Sequence, residues 1–235
     1  MGVSFLDLTL VIAIYFYVLL LIVVLSILVE RKHLGTAFTR RTIHLLAGDA
    51  FLLLPLFTSP WYPATIPIGL ALITMYSFKF RNESTITRSM VEKEDASLHA
   101  YGPVYYILSI LILLFWLWER KDVAMSAVMV MAWGDGAASL VPKKLEKVHR
   151  YPFSDKTLEG TLTMFAFGFI GSVVAFILAT YLGVRVYTLS EILILAAFAS
   201  AVGAIAEALT LGPLRSFDNL TVPLLTALAL LCIHL

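Results

Sequence analysis

LDLTLVIAIYFYVLLLIVVLSILV, residues 6–29, is built almost wholly of aliphatic and aromatic side chains. Coiled as a helix at about 1.5 Å per residue, it exceeds the roughly 30 Å of hydrocarbon in a bilayer. The residues before it lack a positively charged n-region, and the run is long enough to span, so it reads as a retained span and not as a cleaved signal. Apolar runs of similar character recur at 42–57, 62–80, 101–118, 123–141, 161–182, 189–211 and 219–235. The whole chain, 235 residues, is 60% hydrophobic and only 14% charged, where a soluble domain carries about a quarter charged residues. Mean hydropathy is +0.90. The expected fold is therefore all-α, a polytopic integral membrane protein of about eight transmembrane helices, with residues 1–235 forming a single domain. The run at 42–57 is short, and its separation from the next rests on TSPWYP (58–63). A seven-span arrangement with these two runs as a re-entrant pair is the alternative.

The basic residues orient the spans. With the N-terminus outside, Arg31, Lys32, Arg40, Arg41, Lys79, Arg81, Arg88, Lys93, Lys143, Lys144, Lys147, Arg150, Lys156 and Arg215 all fall in cytoplasmic loops. Of the 17 Lys and Arg, only Arg120, Lys121 and Arg185 fall outside. That asymmetry predicts both termini outside and the large polar loops in the cytoplasm. Trp61, Tyr62, Trp116 and Trp118 lie at outer ends, where interfacial aromatics belong. A net charge of +1 argues against nucleic acid as a partner. The single cysteine, Cys232, excludes an intramolecular disulfide and a cysteine zinc cluster.

An ionisable side chain deep in a bilayer costs about 2.5–3.5 kcal/mol on insertion scales, so each needs a partner or a task. His44, Asp49, Asp135, Glu207 and Asp218 stand in or at the edge of apolar runs, nearly all toward the predicted cytoplasmic side. Their clustering resembles a site fed from the cytoplasm more than a pathway across the membrane. Asp49 has a plainer reading as a salt-bridge partner of His44 or an arginine, and Glu207 as a structural ion-pair partner. His33, His99 and His149 read as loop residues, and the basic residues at 143–150 as anchors to anionic lipid.

MAWGDGAASLVPKK (131–144) sets Asp135 between Gly134 and Gly136. Glycines alone would serve close helix packing, but they leave the carboxylate unexplained. About 20 residues on comes SDKTLEGT (154–161). Aspartate suits Mg²⁺, which takes one or two carboxylates and leaves its other positions to phosphate and water. Glycine admits phosphate to the backbone, and lysine answers its charge. Neither the GxxxxGK[ST] loop nor the protein-kinase motif set is present. The residues alone indicate a membrane-embedded, Mg²⁺-dependent enzyme acting on a lipid phosphate or a nucleotide.

In order and spacing, several segments resemble the CTP-dependent lipid kinases, the family of dolichol kinase, phytol kinase and the CTP-dependent diacylglycerol kinase, distantly related to phosphatidate cytidylyltransferases. RRTIHLLAG (40–48) resembles the family's Arg-Lys…His…Gly block, with Arg41 where lysine is common. WGDGAASLVPKK (133–144) resembles its Gly-Asp block, and SDKTLEGTLTMF (154–165) its Lys-Ser-x-Glu-Gly-Ser block with threonines in place of serines. EALTLGPLRSFDNLTVPL (207–224) resembles the late Glu…Asp-Asn-x-x-Val-Pro block. LEKVHRYPF (145–153) replaces the usual glycine-rich text. The cytidylyltransferase ending is absent, which favours the kinase branch.

The resemblance implies transfer of the γ-phosphate of CTP to an isoprenoid or related lipid alcohol at the cytoplasmic face of a cell membrane, or of the ER or plastid envelope in a eukaryote. It implies catalytic roles for His44, Asp135 and Lys156, with His44 as base or orienting group. Arg40, Arg41, Gly134, Gly136, Lys143, Thr157, Gly160 and Asn219 are the residues implied to bind CTP, and Asp135, Glu207 and Asp218 to bind Mg²⁺. The partners implied are the lipid alcohol and membrane lipids; a homo-oligomer is compatible with the sequence. The competing readings are a cytidylyltransferase making a CDP-lipid and a transporter or flippase.

Overall fold

The computed structural model describes residues 4–31, 36–80, 102–141, 145, 147–152, 154, 156–210 and 217–233, and gives residues 30, 36, 37, 40, 44, 73–80, 102 and 103 as backbone only. Helix α1 covers Phe5–Glu30 and α2 Thr36–Gly48, followed by a 3₁₀ segment, Asp49–Leu56. Then come α3, Trp61–Phe80, and α4, Gly102–Trp116. After a 3₁₀ turn at Trp118–Arg120, α5 (Lys121–Met129) runs into a π-helical segment, Val130–Asp135, and ends in the turn Gly136–Ala138. Helices α6 (Leu158–Tyr181), α7 (Leu189–Ala208) and α8 (Asp218–Ile233) complete the described elements. Apart from an isolated antiparallel bridge between Arg150 and Thr157, no strand pairing occurs among the described residues.

The apolar runs map onto these elements with two departures. The run at 42–57 is broken: α2 begins before it, and from Asp49 the chain tightens to 3₁₀ geometry around Pro55. Proline has no N–H and cannot continue an α-helical ladder. The run at 123–141 widens to π geometry in the turn that carries Asp135. Among the described residues three helices, α1, α6 and α7, are long and apolar enough to cross a membrane, and Val104–Trp116 and Asp218–Ile233 are shorter apolar stretches.

Helix α5 is the axis of the bundle. Every residue from Asp122 to Met129 is buried, and so are Val130, Met131 and Ala132. Leu113 and Leu114 of α4, Phe176 of α6, Ala199 of α7 and Leu230 of α8 close around it. The most extensive pairing among the described residues is α6 against α7. Gly168, Gly171, Ser172, Ala175 and Ala179 on one helix, and Ala196, Ala199, Ser200 and Gly203 on the other, are buried small residues three or four apart. Such stripes let backbones approach where no water drives association. The outer wall is apolar: Ile12 and Phe16 of α1, Ile170 and Ile177 of α6, Ile194 and Ile205 of α7, and Leu225 and Leu228 of α8 are all exposed. Helices that are apolar all round suit a lipid environment.

Two carboxylates that sequence reading passes over close one end of this bundle. Asp7 is fully buried and accepts hydrogen bonds from the Thr58 amide, at 2.9 Å, and from the Thr58 hydroxyl. Lys121, on the same end, donates to the Phe57 carbonyl at 3.3 Å and lies over the Trp118 ring. Asp122, 1% exposed, pairs with Arg120 at 3.3 Å and accepts from the Tyr187 hydroxyl. Burial first, and then the Asp122 bond, push the Tyr187 phenol well above its ordinary pKa. Asp122→Ala is expected to lower stability by about 2–3 kcal/mol, since hydrogen bonds to a charged group are lost. Thermal melting in detergent, with Tyr187→Phe giving a smaller loss, checks this.

Candidate active site

The site lies at the opposite end of α5, about 20 Å from Asp122 at 1.5 Å per residue. The chain first builds a loop to deliver Lys156. Arg150 and Thr157 bridge, Tyr151 N–H donates to the Lys156 carbonyl at 3.0 Å, and Leu158 N–H donates to the His149 carbonyl at 2.9 Å. Ser154 Oγ accepts the Lys156 amide at 3.0 Å. His149 grips Glu159 in the first turn of α6, Nδ1 to Oε1 at 2.6 Å and backbone N–H to Oε2 at 2.9 Å. Thr157 is extended and its hydroxyl accepts the Gly160 amide at 3.1 Å, a side-chain N-cap that starts α6.

From this loop the Lys156 ammonium reaches the end of α7 and the start of α8. Its Nζ lies 2.6 Å from Glu207 Oε1 and 3.9 Å from Asp218 Oδ2, and it also donates to the Glu207 carbonyl. The Lys156 and Glu207 side chains are 9% and 11% exposed, so solvent screens the pair little. Asp218 is repelled by Asp135 as well as by Glu207 and attracted by Lys156, which brings the π segment into the same cluster. Asp218 Oδ1 also accepts the Asn219 amide at 2.8 Å.

Helix α2 packs along the π segment from the other side. Arg41 donates to the Ser139 carbonyl. A Cβ built on Gly136 would sit 3.1 Å from Leu45 Cβ. Asp49 accepts the Trp133 indole N–H at 2.7 Å. On the α6 side, a Cβ on Gly134 would sit 3.0 Å from the Met164 carbonyl oxygen and 3.1 Å from Met164 Cγ. The two glycines beside Asp135 therefore make room for neighbouring helices on opposite sides of the segment.

Of the residues singled out by sequence, the structure gathers Asp135, Lys156, Glu207, Asp218 and Asn219, and puts Arg41, Gly134, Gly136, Thr157 and Gly160 on the elements that frame them. Lys143 lies outside the described residues, as do the side chains of Arg40 and His44. Glu207 faces Lys156, and among the described residues no group of three or more His, Cys, Asp or Glu side chains is gathered to hold a metal ion. Asp218 is subject to repulsion from both Asp135 and Glu207, and Mg²⁺ takes one or two carboxylates from protein. Asp49 accepts the Trp133 indole N–H, while the side chains of His44 and Arg40, among the salt-bridge partners that the sequence offers it, lie outside the described residues. Trp133 itself was passed over, although an indole N–H in an apolar helix needs an acceptor.

The chain is 32% identical to the phytol kinase of Synechocystis over 213 residues, covering 88% of this chain and 84% of that protein. It is 27% identical to phytol kinase 1, chloroplastic, of Arabidopsis thaliana over 210 residues, 86% of this chain and 68% of that one. Farnesol kinase, chloroplastic, of Arabidopsis thaliana is 29% identical over 143 residues, 57% of this chain and 46% of that one. No family model and no solved structure matches it. The chain belongs to the phytol kinase family.

Gly134→Ala is expected to push α5 off α6, because the obstacle includes backbone, and to cost about 1–3 kcal/mol of stability. Melting of the purified variant in detergent measures this. Lys156→Met leaves Glu207 and Asp218 facing one another without their ammonium, and should lower both the melting temperature and turnover.

Proposed function

We propose that this chain is a membrane-embedded kinase that transfers the γ-phosphoryl group of CTP to the hydroxyl of an isoprenoid alcohol of the phytol or farnesol class. Kinship with phytol and farnesol kinases supports the reaction and substrate class. The observation that carries the site is the convergence of Lys156, Glu207, Asp218 and Asp135 at one end of an apolar bundle. An eight-span arrangement with both termini outside puts this end at the cytoplasmic face, where nucleotide is available. The apolar outer wall lets a prenyl chain approach from the bilayer while its hydroxyl meets the polar cluster.

In the reaction the alcohol oxygen attacks the γ-phosphorus, the bond to the β-phosphate oxygen breaks, and CDP leaves. Such transfers depend mainly on positioning and on neutralising charge. Asp135 and Asp218 would hold Mg²⁺, which supplies positive charge to the phosphate oxygens when bound. Lys156, oriented by Glu207, answers the remaining phosphate charge. Arg41 and His44 lie three residues apart on α2, which runs along the π segment. His44 takes or steers the alcohol proton in this reading. The N-terminus of α6, capped by Thr157, presents a helix dipole suited to an anion.

The test is nucleotide release from purified protein in detergent, with CTP, ATP, GTP or UTP offered against phytol, farnesol, dolichol and diacylglycerol in the presence of Mg²⁺. CDP formed only with CTP and a prenol is the expected result, and chelation of the metal should abolish it. Pyrophosphate release would overturn the kinase reading in favour of a CDP-lipid synthase. Asp135→Asn should insert and fold normally yet lose turnover; full activity in that variant removes the metal assignment.

A further inference from the structure

A π turn inserts about one extra residue into a helix and rotates everything after it by about 100°. Such turns are less favourable than α geometry and persist where the surroundings hold them, often at functional sites. Here the widened turn is Val130–Asp135 and its last residue is the central carboxylate. Relaxed to α geometry, the same sequence would aim Asp135 in a different direction from the axis of α5. Something must hold the turn open. Glycine contacts to Met164 and Leu45 give room but no direction. The directional contact is the hydrogen bond from Trp133 Nε1 to Asp49 Oδ1, at 2.7 Å. Asp49 opens the 3₁₀ segment, one residue past the end of α2, and that segment packs against α5. It is a half-buried carboxylate in an apolar stretch, and Trp133 is the side chain it hydrogen-bonds among the described residues.

We propose that Asp49 is a positioning residue for the phosphoryl-transfer site: by accepting the Trp133 indole N–H it holds the π turn, and with it the direction in which Asp135 is presented. This rests on the reading of Asp135 as a metal carboxylate. It touches neither substrate nor metal, and its effect passes through Trp133 two residues before Asp135.

The experiment compares Asp49→Leu, Trp133→Phe, the double variant and Asp49→Asn in purified full-length protein. Its readouts are turnover, the midpoint of Mg²⁺ activation, melting temperature and the ¹⁵N-indole resonance of Trp133. Each apolar variant should lower turnover on the order of 10- to 100-fold, the scale of a misplaced reacting group. Each should also raise the Mg²⁺ midpoint severalfold, which a merely structural loss would not do. The double variant should be no worse than either single one, since both remove one interaction. Asp49→Asn keeps an acceptor oxygen and should restore most of the activity and a near-native midpoint. Asp49→Leu should move the Trp133 indole resonance upfield. An unmoved resonance, an unchanged Mg²⁺ midpoint in folded Trp133→Phe, or additive losses would overturn the proposal while leaving the kinase intact. An inactive wild type or a fully active Asp135→Asn would instead overturn the site reading on which it rests.

Discussion

A lysine and its carboxylates taken out of water must meet at close range or not be charged at all, and the Lys156–Glu207 contact organises this molecule. Desolvating two ions costs several kcal/mol each, and mutual attraction offsets that only with good geometry. The chain supplies the geometry by spending an entire loop on it. Arg150 to Thr157 folds back on itself, His149 fixes the loop to Glu159, and Thr157 caps the helix that follows. The lysine thus arrives on a short, doubly anchored stem instead of a flexible tether. Its partners terminate α7 and begin α8, so one ion pair ties three elements at a single depth.

The second constraint is distance between backbones. Asp135 can approach this cluster only if α5 sits against α6 and α2 together, and any side chain at 134 or 136 would hold one of them off. The same logic extends up the axis: Gly171 packs on the Met129 carbonyl, and Gly168 sits between Val130 and Ser200. Interhelical hydrogen bonds such as Ser126 to Ser172, at 2.7 Å, average only about 0.6 kcal/mol each within membranes. Close packing of small residues, repeated along α6 and α7, is therefore the larger contribution.

Helices were legible from the sequence because lipid-facing and core-facing residues are both apolar here, so a span shows as an unbroken run. The break at Asp49–Leu56 was less so: Pro55 marks it, but the tightening begins six residues earlier, and hydropathy does not distinguish 3₁₀ from α. The π turn left no periodic trace, since a single widened turn shifts a pattern that uniformly apolar residues do not record. Asp135, Lys156, Glu207 and Asp218 stood out because charge is rare in such a chain. Their pairing did not, since Lys156 meets Glu207 across 51 positions. Asp7 and Asp122 escaped notice because each lies at the end of an apolar run, where a carboxylate can ordinarily reach water. The structure buries both.

Comparison of the two ends of the bundle gives the strongest reason to seek function at one of them. At the Asp7 end each buried acid is answered: Asp7 by Thr58 with Lys121 nearby, Asp122 by Arg120 and Tyr187. Charge there is matched and the contacts are internal, as a structural seal requires. At the other end Glu207 and Asp218 share the ammonium of Lys156, and Asp135 acts electrostatically on Asp218. Lys156 joins the end of α7 to the start of α8 through two carboxylates at once, so any ligand that competes for the ammonium or for Asp218 acts on both helices, which is the reason to seek function at this end.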